Sequence, residues 1–318
     1  MMPRGHQPPE EVHRRVVRYR LWRWIAAAPP MIGSLLILML LAPALGGGSA
    51  LLLLAWASCA AAVTSGVGER MVVHAVYGFR RPSARQAAAL QPAWATALQV
   101  TETKAGDVEL YVQTARMPNA YATGGRSVAV TTQVLQDCES GRLRKDRLVA
   151  VLVHELGHHA TGAVRPMLLL SWLTAPWRLT TRLLVGLAIS LGGRHARPGR
   201  AAVVAAGLVV AVVHTVQQGR WLVGGVTAFV GAVAVLCPAA NAAISRRSEW
   251  AADRFAADHG LAIDLAEALD ALDDSARRSP RWPQRLWATH PPVDRRIAAL
   301  VSATARSNAS SPAPAATS

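Results

Sequence analysis

The sequence predicts a mainly α membrane protein carrying an α+β domain with a small β-sheet. Three observations lead there. The residues are 52% hydrophobic and only 17% charged, yet the formal net charge is +15, a combination that fits apolar spans with basic flanks. Four apolar runs come in two pairs, each joined by a short turn, which reads as two transmembrane helical hairpins. Around the pairs lie mixed stretches in which alternating strand patterns precede one long helical pattern.

Residues 1–23 form a basic tail with Arg4, Arg14, Arg15, Arg18, Arg20 and Arg23. The apolar run 24–45 is too long for a signal-peptide core, and a second run, 49–67, follows at once after Gly46-Gly47-Gly48. Residues 24–68 are therefore the first expected hairpin, each run approaching the roughly 20 residues needed to span a bilayer. Its turn has no Lys or Arg while the tail has several, which places the tail in the cytoplasm. Pro29, Pro30 and Pro43 are expected near the ends of the first span, where breaking a helix costs least.

Residues 69–165 have a mixed composition. The stretch 83–100 is helix-like with an interruption expected at Pro92; 108–114 (VELYVQT) and 127–132 (SVAVTT) alternate as strands. Between them, 117–125 places turn residues around a short extended piece. These strands make a small sheet ahead of the helix expected after Arg142.

Residues 166–200 are apolar but broken by Pro176, Arg178 and Arg182. With Trp172 and Trp177 they read as a membrane-surface amphipathic segment followed by a basic link, because a buried arginine pair makes a full span expensive. Residues 201–243 form the second expected hairpin, its runs 201–216 and 221–240 joined by Gln217-Gln218-Gly219-Arg220. Residues 244–301 return to mixed helical composition, with breaks at Gly260, Pro280, Pro283 and Pro291-Pro292. The tail 302–318, rich in Ser, Ala and Pro, is expected to be disordered.

Composition also excludes. Cys59, Cys138 and Cys237 are odd in number and contain no CxxC, so there is neither a disulfide framework nor a cysteine metal site. The arginines flank apolar runs without any nucleic-acid-binding motif, so nucleic acid is not an expected partner. The four runs carry almost no charge apart from His214, which argues against a transporter.

The chemistry is concentrated in Leu152-Val153-His154-Glu155-Leu156-Gly157-His158-His159, preceded by an unbroken apolar helical run. On a helix His154 and His158 share a face and can offer two imidazoles to one metal, with Glu155 one step round; this is the HExxH pattern of zinc peptidases. Such sites need a third protein ligand and an open position for water. The candidates are His159, His195, His214, Glu249, Asp253, His259, Glu267 and His290. His159 turns about 100° away from His158 on a helix. Glu249 is the best candidate; with Asp253 four residues on, one can ligate while the other orients a ligand histidine. Taken alone, the spacing favours an ordinary helix with surface carboxylates.

Four motifs in order carry a resemblance. HELGHH, a following hairpin and SRRSEWAAD resemble the HtpX-type and CAAX-prenyl-protease group of membrane zinc metallopeptidases. Asn119-Ala120-Tyr121-Ala122-Thr123-Gly124 is similar to that group's piece ahead of the metal helix, and Thr289-His290-Pro291-Pro292-Val293-Asp294-Arg295-Arg296-Ile297 to its late piece. The resemblance covers about 69–301 and fits the HtpX-like branch better. It implies a zincin-like peptidase domain, one zinc per chain on His154, His158 and Glu249, Asp253 behind them, and Glu155 as general base. His290 becomes the donor to the developing oxyanion. Asn119, Ala120, Tyr121 and Ala122 would pair with substrate backbone. The expected partners are polypeptide substrates and the lipid bilayer. The expected place is the cell (inner) membrane, multi-pass, with the active site on the cytoplasmic side. A catalytically silent membrane scaffold is the alternative; the intact base and ligand set argue against it.

Overall fold

In chain order, α1 (Pro9–Leu41), a 3₁₀ segment (Ala42–Gly48), α2 (Ser49–Val63) and α3 (Gly66–Ala75) lead into β1 (Phe79–Arg80) and α4 (Ala84–Val100). Then come β2 (Glu109–Gln113), β3 (Ala120–Thr123), β4 (Ser127–Thr131), α5 (Thr132–Glu139) and α6 (Lys145–Ala160). The chain continues through α7 (Met167–Leu173), α8 (Ala175–Leu191), α9 (Arg200–Gln217), α10 (Trp221–Asp258), α11 (Ala262–Leu272) and α12 (Val293–Ala309). This computed structural model describes residues 9–191, 200–272 and 288–309. The contacts separate two units: one of Met1–Trp22, Ala61–Leu168 and Ala242–Ser318, the other of Arg23–Ala60 and Leu169–Asn241.

Among the described residues, two helices are long and apolar enough to cross a membrane, Val17–Ala44 and Trp221–Asp258; most of the first and the first half of the second belong to the second unit. α2 with α3 meets that description only as a broken pair, and α9 contributes the shorter apolar helix Ala206–Gln217. Pro29 and Pro30 are not near the ends of the first span. α1 begins far upstream of the apolar run, so the pair falls inside the helix. The carbonyls that the two rings leave without a helical donor are those of Ile25 and Ala26, one turn earlier. Downstream, the buried Ser34 hydroxyl donates to Pro30 O at 2.9 Å and accepts from Trp177 N at 3.1 Å, tying α1 to α8. Residues 166–191 form α7 and α8, neither among the candidate spans. Gly33 makes room for the Trp177 ring, since a Cβ there would lie 2.2 Å from Trp177 Cε3.

The first unit holds a mixed four-stranded sheet in the order β1-β2-β4-β3. β2 and β4 are parallel, and the other two pairs are antiparallel. All residues of β4 are buried, as its continuous run of small and β-branched side chains requires at a sheet centre. β3 is the edge. The core joins α4, the sheet, α6, α10, α11 and α12, with Leu152, Val128, Val130 and Leu265 almost fully buried.

α4 opens on a reciprocal capping box between Ser83 and Gln86. It runs unbroken through Pro92, contrary to the expected interruption. Pro92 lies on the solvent face, where water can serve the carbonyl its ring leaves unpaired. The apolar run 221–240 and the segment carrying Glu249, expected as separate helices, are one helix, α10, through Pro238. No glycine falls between Gly231 and Gly260 to end it. The tail is not irregular from 302: α12 continues to Ala309, anchored by buried Leu300 and built from Ala, Ser and Arg that tolerate a helix. Residues 310–318 lie outside the described residues, as do Pro280 and Pro283.

Candidate metal centre

α6 is buried from Leu148 to His158. Its apolar positions face the sheet on one side and α4 and α11 on others, which is why the run carries apolar residues all round. α10 brings a second buried stripe, Ser248, Glu249, Ala252, Asp253 and Ala256, at helical spacing. Gly157 permits the close crossing: a Cβ there would lie 3.0 Å from Phe255 Cδ1 and 3.2 Å from Ala252 Cα.

The crossing brings His154, His158 and Glu249 together, all buried, with one ligand atom of each within 4.8 Å of the others. His154 Nε2 lies 3.6 Å from Glu249 Oε2 and His158 Nε2 3.4 Å from Glu249 Oε1. The other ring nitrogens turn away. His158 Nδ1 is 3.1 Å from Ser248 Oγ. His154 Nδ1 is 3.0 Å from Asp253 Oδ1, a short contact without the alignment of a hydrogen bond. Both Nε2 atoms thus face one carboxylate while partners fix the rings from behind, the arrangement a metal-binding histidine needs. The donor set fits a divalent metal: two imidazoles and one carboxylate on rigid helices.

Arg296 was not a site candidate in the sequence, yet it is buried here. It donates to Asp253 through Nε at 2.9 Å and Nη2 at 2.6 Å, and its Nη1 lies 3.2 Å from Glu249 Oε2. The signal was present: Val293, Arg296, Ile297 and Leu300 share the inner face of α12, and an arginine on such a face requires a carboxylate partner.

His290 stands at the rim, its side chain 67% exposed and its Nδ1 3.2 Å from Glu249 Oε1. Glu249 raises its pKa, against the effect of burial. For His154, burial disfavours the charged ring, but Asp253 and Glu249 outweigh it and hold the pKa up at about 9. Glu155 is buried on α6, and its charge acts on His154, His290 and Arg296.

The remaining candidates go elsewhere. His159 points its Nε2 at Ser127 O, 3.2 Å away, and burial lowers its pKa to about 4, so the ring is neutral. His259 caps its own helix at Phe255 O, 2.7 Å away, and Glu267 pairs with Arg147 at 2.8 Å. His214 lies 2.9 Å from Gln218 Nε2 in the other unit. His195 lies outside the described residues.

Asn119 precedes β3, and Ala120, Tyr121 and Ala122 lie in it, beside α6. Thr131 N donates to Asn119 O at 3.0 Å, so these two residues face each other. By the alternation of an antiparallel ladder, Ala120 and Ala122 turn their main-chain groups to the open edge. Asn119 Oδ1 already accepts from Ala120 N at 2.9 Å.

The model of peptidase family M48 matches residues 84–304, well over half of the chain and inclusive of every residue of this cluster. The chain belongs to peptidase family M48. It is also similar to the protease HtpX of Cellvibrio japonicus (strain Ueda107), 29% identical over 212 residues. That match takes in 60% of this chain and 64% of the relative, so the chain spans somewhat under two thirds of that protein's length. The M48 match starts at α4, so α1, α2 and α3 lie ahead of it.

Proposed function

We propose that the chain is a membrane-anchored, zinc-dependent endopeptidase acting on polypeptides in or beside the membrane. The observation that carries this is the convergence of His154, His158 and Glu249, with the acid–base residue Glu155 on the same buried turn. Two neutral imidazoles and a carboxylate suit zinc, which would supply a Lewis acid and bring bound water toward neutral pKa.

The chain's own residues divide the rest of the work. Glu155 takes a proton from the attacking water and delivers it to the leaving amine. His290, at the rim with a raised pKa, donates to the carbonyl oxygen as it gains charge. Asp253, gripped by Arg296, holds the His154 ring in place. The open edge of β3 at Ala120 and Ala122 takes an extended substrate as an added strand. A silent scaffold would not need this base together with a complete ligand set.

The arginine asymmetry supports a multi-pass arrangement in the inner membrane with the site on the cytoplasmic side. Single-cysteine labelling from outside intact cells, without Cys59, Cys138 and Cys237, tests this. Cysteine at exposed Gly219 should react with an impermeant reagent and cysteine at exposed Gly141 should not; the reverse would invert the topology. Catalysis is tested by zinc analysis with hydrolysis of an unfolded protein substrate by the purified full chain.

A further inference from the structure

Away from the metal centre, α3 carries a second buried carboxylate, Glu69, 7% exposed. It accepts from Gly125 N at 2.8 Å, Arg126 N at 2.9 Å and Ser127 Oγ at 2.7 Å. These donors form the turn between β3 and β4. Gly124 in that turn has φ +65°, and a Cβ on it would lie 2.5 Å from Glu69 Cδ. The turn and the carboxylate are therefore built against each other.

Ser127 is held from a second side. Its carbonyl accepts at 3.2 Å from Nε2 of His159, the residue after the proposed ligand His158. α3 also reaches the edge strand through packing: Val73, one turn beyond Glu69, shares an apolar cluster with Phe79, Tyr111 and Tyr121. The start of β4 is thus pinned to the metal helix by His159 and to α3 by Glu69, and β3 pairs with β4 throughout. A tight hairpin turn with a positive-φ glycine closes by its own hydrogen bonds. A buried carboxylate reaching in from another element adds charge-assisted bonds that the turn alone does not require.

We infer that Glu69 is a positioning residue that sets the edge strand against the metal helix and so determines how an extended substrate is held. The inference rests on the peptidase reading above. Its physical basis is that a docking strand no longer held in place offers its main-chain groups less well to an extended peptide, so binding of the residues paired with it weakens. The bonds between Glu69 and the turn contain no substrate and no metal ligand. Their loss should therefore act through peptide length.

The experiment compares the full-chain protein with Glu69→Gln and Ser127→Ala, using two peptides. One extends along β3; the other has only the residues flanking the scissile bond. Zinc content, kcat and KM are measured for each. For Glu69→Gln, zinc should stay at the wild-type level. KM for the long peptide should rise about tenfold, the scale of one or two main-chain hydrogen bonds lost between peptide and strand. Its kcat, and both constants for the short peptide, should stay within about twofold. Ser127→Ala, which removes one bond of the set, should shift KM for the long peptide the same way by less, and serves if the Glu69 variant does not fold. Equal losses on both peptides, loss of zinc, or an unchanged KM would each overturn the positioning role. Absence of zinc and hydrolysis in the wild type would instead overturn the reading beneath it.

Discussion

Glu249 and Glu69 are buried to nearly the same degree, 6% and 7% exposed, in the same unit. Their surroundings differ in kind. Glu249 meets the side chains of His154, His158, His290 and Arg296. Glu69 meets two main-chain N–H groups and a hydroxyl. A carboxylate among imidazoles shares its neighbours with whatever cation enters and can exchange one for the other. A carboxylate holding main-chain donors has nothing to exchange, and its release unfastens a turn. Burial alone does not separate a ligand from a brace; the chemical type of the partners does.

Removing one of the proposed ligands should have the largest effect. His154→Ala, His158→Ala or Glu249→Ala should each take zinc from about one ion per chain to near none, by metal analysis of purified protein. Full zinc in Glu249→Ala would move the third ligand elsewhere, with Asp253 next.

Arg296→Leu should have the next largest effect. It leaves Asp253 and Glu249 buried without their guanidinium, a loss of about 3–5 kcal/mol read as a lower midpoint of denaturant unfolding. A midpoint like that of wild type would show that the pairing is incidental to the fold.

A smaller effect concerns pH. The pKa of His154 rises from 6.5 to about 9 in the metal-free fold. A raised pKa contributes stability that is fully present below about 6.5 and is lost as pH rises through about 9. Metal-free protein should therefore unfold at higher denaturant near pH 6 than at pH 9.5. Zinc needs the neutral ring, so its affinity should climb about tenfold per pH unit up to pH 9, with about one proton released on binding. Titration calorimetry in buffers of different ionisation enthalpy measures that proton.

What could be read in the sequence was what local spacing encodes. His154 and His158 are one helical turn apart, so their shared face follows from α-helix geometry, and the alternation in β2 and β4 follows from strand geometry. Glu249 became readable by its place in a series of motifs. Arg296 did not, because its role depends on α12 lying against α10, and sequence spacing says nothing of that crossing. Glu69 was equally silent: its partners are backbone groups 56 and 57 residues further on. Pro29, Pro30 and Pro92 lie inside helices that run on through them, Pro92 on a solvent face where water can serve the freed carbonyl. Propensity gave way there to tertiary surroundings.

Under the proposed function, Glu155 does proton work beside a metal it does not bind. The direct measurement is zinc content and proteolysis of Glu155→Gln beside wild type. About one zinc per chain is expected in both. Cleavage of an unfolded substrate by the variant should fall by at least a hundredfold, on the order of a lost general base. Cleavage at the wild-type rate by the zinc-loaded variant would contradict it.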